Sequence, residues 1–133
     1  MGKTSHEGQT PYQLLGGAHA LKKIVDRFYA LMDSAREFAQ LRRLHAPDLS
    51  AARNLLFEFL SGWMGGPPLY FQRSEHRCIM SAHRRLSMGT TEVEQWLACM
   101  NRALSGCAVD EQLHKIIRPA MARLAIGMRN RAD

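Results

Sequence analysis

The segment Ala18–Met32, AHALKKIVDRFYALM, carries the clearest structural pattern in the sequence. Its apolar residues recur every three or four positions and therefore share one face of a helix. They are Leu21, Ile24, Val25, Phe28, Tyr29 and Met32. We therefore predict an amphipathic helix that buries this face against other helices.

Further amphipathic segments flank this one and are separated by glycine and proline residues. Thr10 and Pro11 are typical of a helix start, and Gly16-Gly17 ends that short helix. Further helices are expected over Ala35–Leu44, from a cap at Ser50 to Trp63, from a capping box at Thr91–Glu94 to Gly106, and from Asp110 to Met128. No segment alternates with a period of two, so we predict an all-α fold without a sheet.

The later helices also have an apolar side that we expect to face the core. In the helix from Ser50 it comprises Ala52, Leu55, Leu56, Phe59, Leu60 and Trp63, and in the next helix Val93, Trp96, Leu97, Met100 and Leu104. In the last helix it comprises Leu113, Ile116, Ile117, Leu124 and Met128. Pro119 lies inside that last helix and is expected to kink or split it. Residues 69–77 have no clear period and predict a loop, and residues 78–84 predict a short helix at most.

The size and composition of the chain are those of one soluble domain. With 133 residues, 46% of them hydrophobic, the chain can bury a core, and we assign a flexible lead to residues 1–10 and a single domain to 11–133. The longest apolar runs, such as Leu55–Phe57, are far shorter than the ~20 residues of a membrane span, and no signal peptide is visible. The three cysteines lack paired metal-ligand spacing, so reduced thiols and a cytoplasmic location are expected.

The histidine and charge patterns by themselves do not define a function. Histidines lie at positions 6, 19, 45, 76, 83 and 114, without the spacing of a zinc site. Neither glycine pair has the spacing of a phosphate-binding loop. The net charge of +6 leaves open a basic helical module that binds nucleic acid or a protein. Because the arginines are dispersed along the chain, a solvated surface is the favoured interpretation.

Six short motifs, taken in order, are more specific than any single residue. They are Gly16-Gly17, Val25–Tyr29 (VDRFY), Leu44–Leu49 (LHAPDL), Phe59–Pro67 (FLSGWMGGP), Ser81–His83 (SAH) and Glu94–Met100 (EQWLACM). In this order and at this spacing the sequence resembles the group II truncated haemoglobins of bacteria. The resemblance extends from about Tyr12 to Met128, which is nearly the whole chain.

This resemblance implies a shortened globin, in which a two-over-two sandwich of helices encloses haem b. His83 falls on the family's proximal position, and a neutral imidazole is a good axial ligand to haem iron. On the opposite side Tyr29 and Trp96 fall on the distal tyrosine and tryptophan, and His45 on the corner after the third helix. The implied ligand pocket consists of Tyr29, His45, Ala52, Leu56 and Trp96. The residues alone leave open that the two aromatics are core residues and that His45 is a surface corner residue.

Other residues are expected around the haem on the same grounds. They are Phe28, Phe59, Tyr70, Arg73, His76, Met80, Leu86 and Met100, with plain core packing as the alternative for the apolar ones. The sequence departs from the family in four places. The segment after His83 is Arg84–Met88 instead of one with proline and phenylalanine, Ser81 replaces a common arginine, and Leu55 occupies a position that often holds a basic partner of the haem propionates. Glu75-His76-Arg77 replaces a Gly-His-Pro stretch, so His76 is a candidate propionate donor, with a plain loop histidine as the alternative. Arg53, Tyr70, Arg73, Arg84 and Arg85 are the alternatives for that pairing.

The resemblance further implies the binding or transport of dioxygen and other diatomic gases. Hydrogen-bond donors aimed at dioxygen that carries partial negative charge gain about 1.5–3 kcal/mol each, which favours slow release. The alternative is a haem-dependent redox enzyme, a peroxidase or a nitric oxide dioxygenase. It would need an external reductase, since no flavin motif is present. A haem-free basic module is the remaining alternative. Neither a nucleic-acid nor a membrane partner is expected, and both monomer and homodimer remain open.

Overall fold

A computed structural model describes residues 9–73, 86–107 and 109–130 of the chain. Its helices are α1 (Pro11–Leu15), α2 (Gly17–Ser34), a 3₁₀ turn (Arg36–Phe38), α3 (Ala39–Arg43), α4 (Ser50–Trp63), α5 (Thr90–Ser105) and α6 (Glu111–Gly127). These ranges contain no strand, and the predicted all-α class is confirmed. The predicted site residues His76, Met80 and His83 lie outside the described residues, as do Arg84 and Arg85.

Helix α2 lies at the centre of the core, as its apolar face predicts. All six residues of that face are buried, and Leu21 and Phe28 are fully enclosed. Helix α2 packs against α4 on one side and against α5 on the other, and α5 in turn packs against α3 and α6. The burial of one continuous apolar stripe therefore fixes where α4 and α5 lie, and these two helices contribute five of the twelve described residues that line the site below.

The short helix α1 is held in place by the turn that follows α4. Thr10 caps α1 by accepting a hydrogen bond from the Gln13 amide at 3.2 Å, which confirms the predicted helix start. The Tyr12 amide donates to the Met64 carbonyl at 3.0 Å. A Cβ atom on Gly66 would lie 2.5 Å from the Tyr12 ring, so only glycine allows this approach. The glycine pair after α4 thus serves to dock the amino-terminal helix.

Several predicted helix starts differ from the structure. The segment expected to form a helix over Ala35–Leu44 begins with the 3₁₀ turn Arg36–Phe38 and is α-helical only over Ala39–Arg43. The starts of α4 and α5 are wrong by one and two residues. Helix α4 begins at Ser50 itself, whose amide donates to the Asp48 carboxylate at 2.9 Å, so Asp48 supplies the bond that Ser50 was expected to supply. Hydrogen bonds from Ser50 also hold the pKa of Asp48 below its usual value. Helix α5 begins at Thr90, and the Gly89 amide donates to Glu92 at 2.9 Å. The expected capping box therefore lies two residues earlier in the chain.

Two apolar residues predicted to face the core are exposed, and one predicted break is absent. Ile116 is 50% exposed because the buried side of α6 is set by Leu113 and Ile117, and Ile116 lies about 60° outside that arc at 100° per residue. Leu55 of α4 is 40% exposed. Pro119 does not split α6, which continues from Glu111 to Gly127.

Candidate functional site

A cavity opens between α2, α4 and α5 and encloses about 890 Å³ of atom-free space, including its mouth. Among the described residues it is lined by Tyr29, Leu41, Leu44, His45, Ala52, Leu55, Leu56, Phe59, Tyr70, Leu86, Met88 and Trp96. Nine of these twelve side chains are leucine, alanine, methionine, phenylalanine or tryptophan. The other three are the phenol groups of Tyr29 and Tyr70 and the imidazole of His45. Cavities with a lining of this composition are typical of sites for mostly apolar ligands.

A second, smaller cavity of about 430 Å³ adjoins the first one. The two share the side chains of Leu56, Phe59, Met88 and Trp96. The remaining lining residues of the second cavity, Val93, Leu124, Ala125 and Met128, come from α5 and from the end of the chain and are all apolar. The two cavities therefore lie side by side, and the second one reaches α6 through Leu124 and Ala125.

Tyr29 brings a hydroxyl group into the cavity from α2. The hydroxyl donates to the Ala52 carbonyl of α4 at 3.3 Å, a long hydrogen bond made possible because a helical carbonyl can accept two donors. Burial raises the pKa of Tyr29 well above its ordinary value, and the positive charge of Arg53 offsets a part of this shift. Tyr29 is therefore a neutral hydrogen-bond donor at any physiological pH.

His45 reaches the cavity from the corner that follows α3. Its Nδ1 lies 3.0 Å from the Leu41 carbonyl oxygen, and because a carbonyl can only accept, Nδ1 carries the proton. In the neutral ring Nε2 is then an acceptor, so His45 donates to a ligand only when it is protonated. The Tyr29 and His45 rings meet edge to face at 5.8 Å between centroids.

Leu41, whose carbonyl binds His45, is itself held by α5 through its amide. Its amide is one of the first in α3 and has no partner within that helix. It donates instead to Gln95 Oε1 at 3.0 Å, and the Gln95 amide group donates to Gln40 at 2.9 Å. Gln95 thus connects α5 to the carbonyl group that orients His45.

Arg42 closes the corner that carries His45. Its guanidinium donates to the Ala46 carbonyl at 3.0 Å and to the Pro47 carbonyl at 2.9 Å, and it pairs with Asp33 at 2.9 Å. These bonds tie the turn between α3 and α4 to the end of α2. The position of His45 is therefore determined by bonds to three helices.

Trp96 enters the cavity from α5, whereas His45 enters it from the corner after α3. Its ring meets the Phe28 ring at 5.6 Å and the Phe28 ring meets Tyr29 at 5.0 Å, both in tilted edge contacts. Behind Phe28 the buried thiol of Cys99 donates to the Phe28 carbonyl at 3.2 Å, and burial raises its pKa to about 12. Tyr29 and Trp96, which line the cavity, thus pack against Phe28, and both Phe28 and Cys99 are fully buried.

The comparisons with known proteins identify the family. A family model described as bacterial-like globin matches residues 10–130. The structure superposes with a TM-score of 0.89 on the group II 2-on-2 haemoglobin from Agrobacterium tumefaciens, which is 34% identical, with 96% of this chain and 98% of the other covered. The chain belongs to the group II truncated haemoglobins. The predicted two-over-two globin fold is therefore confirmed.

Two further relatives agree with this assignment. This globin is 32% identical to the cold-adapted truncated haemoglobin from Pseudoalteromonas haloplanktis, with a TM-score of 0.88 and coverage of 92% of this chain and 99% of the other. A curated group 2 truncated haemoglobin from Bacillus subtilis is 24% identical over 123 residues, which are 92% of this chain and 90% of that protein. Haem and oxygen binding are general properties of the family.

The structure brings most of the predicted pocket residues of this globin to one cavity. Those that line it are Tyr29, His45, Ala52, Leu56, Phe59, Tyr70, Leu86 and Trp96. Phe28 and Met100 are fully buried and lie behind the lining instead of in it. Arg73 is also outside the lining, and its guanidinium pairs with Glu58 at 3.0 Å. Arg53 pairs with Asp26 at 3.6 Å.

Several lining residues of the globin were not predicted as site residues. Leu41, Leu44 and Met88 line the cavity but carry no motif, and their leucine and methionine side chains are the ordinary residues of any helical core. Leu55 was noted only for the basic residue that it replaces. No cluster of three or more potential metal ligands occurs within residues 9–73, 86–107 and 109–130. No helix in these ranges has the length and apolarity needed to cross a membrane.

Proposed function

We propose that this globin binds haem b with His83 as the iron ligand, and that Tyr29, Trp96 and His45 control dioxygen and other diatomic ligands. The observation that carries the proposal is the position of these three side chains around one cavity whose other lining residues, apart from Tyr70, are apolar. The membership of the chain in the group II truncated haemoglobins supports both the cofactor and the ligand class. The role of His83 rests on its position in the family motif, since it lies outside the described residues.

The cavity residues fit a large, flat, apolar cofactor. Leu56, Phe59, Leu86 and Met88 provide apolar contacts along its length, and Tyr70 packs edge to face against Phe59 at 5.8 Å. Burial of such a surface contributes about 25 cal/mol per Å² of apolar area removed from water. The apolar walls also exclude water, which strengthens the hydrogen bonds of the few polar groups inside.

The three polar side chains differ in what they can do for a ligand. A haem iron supplies reversible binding of a diatomic gas, and the protein supplies hydrogen bonds to it. Trp96 can only donate, whereas Tyr29 must share its proton between the ligand and the Ala52 carbonyl. Neutral His45 accepts, because its Nδ1 proton is committed to the Leu41 carbonyl. Trp96 and Tyr29 therefore act as donors whatever the charge of His45, which favours slow release over rapid delivery.

Absorption spectra of the purified protein, ferric and ferrous, test the proposal directly. The wild-type protein is expected to show a Soret band and to bind dioxygen when ferrous. In His83→Gly the spectrum of the histidine-ligated form should be lost and should return when free imidazole is added. His19→Gly, on the exposed side of α2, is the matched control and should leave the spectrum unchanged. An unaltered spectrum in His83→Gly would show that another residue holds the iron.

A further inference from the structure

The last described residue, Asn130, binds the segment that separates residues 74–85 from α5. Its amide donates to the Met88 carbonyl at 2.8 Å, and its side-chain oxygen accepts from the Met88 amide at 2.8 Å. Its side-chain nitrogen donates to the Leu86 carbonyl at 2.7 Å. One residue thus satisfies three backbone groups on a segment more than forty positions away in the sequence.

This set of bonds requires asparagine. The Asn130 side chain uses one acceptor and one donor at the same time, which aspartate cannot do because an ionised carboxylate only accepts. Met88 is buried, so its amide has little access to water, and an unpaired group there is costly. Residues 86–89 belong to no helix and have no ladder of their own to hold them. Asn130 therefore supplies the hydrogen bonds that regular structure supplies elsewhere.

The two anchored residues form part of the cavity wall. Leu86 and Met88 both line the main cavity, and Met88 also lines the adjoining one. Met128, two residues before Asn130, lies in the same adjoining cavity. Asn130 thus binds the backbone of the cavity wall, and Met128 contributes a side chain to the adjoining cavity. In the sequence, Leu86 is only three residues after His83.

We propose that Asn130 is a positioning residue for the haem site, which fixes the Leu86–Met88 wall of the cavity. This inference rests on the proposed haem function. Asn130 itself is not among the described residues that line the cavity, so it acts through the backbone that it binds. Its loss should loosen the wall and speed the escape of haem.

Haem transfer to excess apomyoglobin measures this effect in the intact protein. We expect Asn130→Ala to lose haem about 10-fold faster than the wild type or more, as is usual when a residue supporting a metal site is removed. Asn130→Asp keeps the acceptor for the Met88 amide and should lie between the two. Arg129→Ala is the matched control, because the Arg129 side chain donates to Thr90 at 3.3 Å and, among the described residues, makes no hydrogen bond to Leu86 or Met88. It should lose haem at the wild-type rate.

A second measurement separates positioning from a general loss of stability. The Met88 amide should exchange its hydrogen faster in Asn130→Ala than in Arg129→Ala, whether or not haem is present. Equal haem loss from Asn130→Asp and Arg129→Ala would overturn the inference, even if Asn130→Ala fails to fold. A wild-type protein without a haem spectrum would instead refute the proposed function.

Discussion

Two walls of the cavity are built in different ways. The polar wall, formed by Tyr29, His45 and Trp96, is positioned by helices α2 and α5 and by the corner after α3, which pack against one another. The apolar wall, formed by Leu86 and Met88, belongs to no helix and is held by hydrogen bonds from Asn130. The polar wall is therefore built on helices of the core, whereas the apolar wall relies on hydrogen bonds from Asn130 and on packing against Val93, Ala125 and Met128.

Because the two walls are held by different contacts, we expect them to control two different properties, the retention of the gas and the retention of the haem. Substitutions in the polar wall should change how long a gas stays bound, because they alter hydrogen bonds to the ligand while the helices keep their places. Substitutions that release the apolar wall should change how long the haem stays bound. The following variants test whether these properties are separable.

The largest effect within the polar wall is expected from Trp96→Phe. This change keeps an aromatic ring against Phe28 and removes the indole donor. The loss of one charge-assisted hydrogen bond of about 1.5–3 kcal/mol should speed dioxygen dissociation about 10- to 100-fold in stopped-flow measurements. Haem transfer to apomyoglobin should be unaffected.

Tyr29→Phe is the internal comparison for that variant. The Tyr29 hydroxyl already donates to the Ala52 carbonyl, so a ligand gains less from it than from Trp96. The dissociation rate should rise by a smaller factor than in Trp96→Phe. A larger rise would show that the Ala52 carbonyl does not compete with the ligand for the proton.

These roles were only partly predictable from the sequence. The apolar period of α2 predicted its six buried residues, because the apolar face of an amphipathic helix packs against the core. The family motifs indicated Tyr29, His45 and Trp96 as pocket residues, and the structure places them around one cavity. The contacts of Gln95 and Asn130 were not predicted, because each joins positions 42 or more residues apart and leaves no local pattern. The start of α4 was misplaced because Asp48 and Ser50 are both good capping residues.

Alkaline stability provides a smaller and independent test of the polar wall. Burial raises the pKa of Tyr29 in the folded protein, while in the unfolded chain it titrates near 10. The folded state therefore keeps a proton that the unfolded chain releases above pH 10. The stabilisation by neutral Tyr29 is complete below pH 10 and decreases above it by at most about 1.4 kcal/mol per pH unit.

Urea unfolding between pH 9 and pH 11, followed by circular dichroism, measures this dependence. The free energy of unfolding of Tyr29→Phe should decrease less steeply above about pH 10 than that of the wild type, because this variant has no buried phenol. Tyr12→Phe is the control, and it should keep the wild-type slope. Identical slopes for all three proteins would contradict the role of Tyr29.

The smallest effect is expected from Gln95→Leu, which acts on the polar wall indirectly. The variant removes the acceptor of the Leu41 amide and loosens the carbonyl group that orients His45. The free energy of unfolding should fall by about 1 kcal/mol, the usual value of one such hydrogen bond. Gln40→Leu, which removes only the bond to the Gln95 amide group, should change it by less than about 0.5 kcal/mol.

Nitrogen chemical shifts of the His45 ring should then show a mixture of tautomers in Gln95→Leu and a single tautomer in Gln40→Leu. If both variants keep the single tautomer, the Leu41 carbonyl holds His45 without help from α5, and the polar wall depends on fewer contacts than the structure indicates.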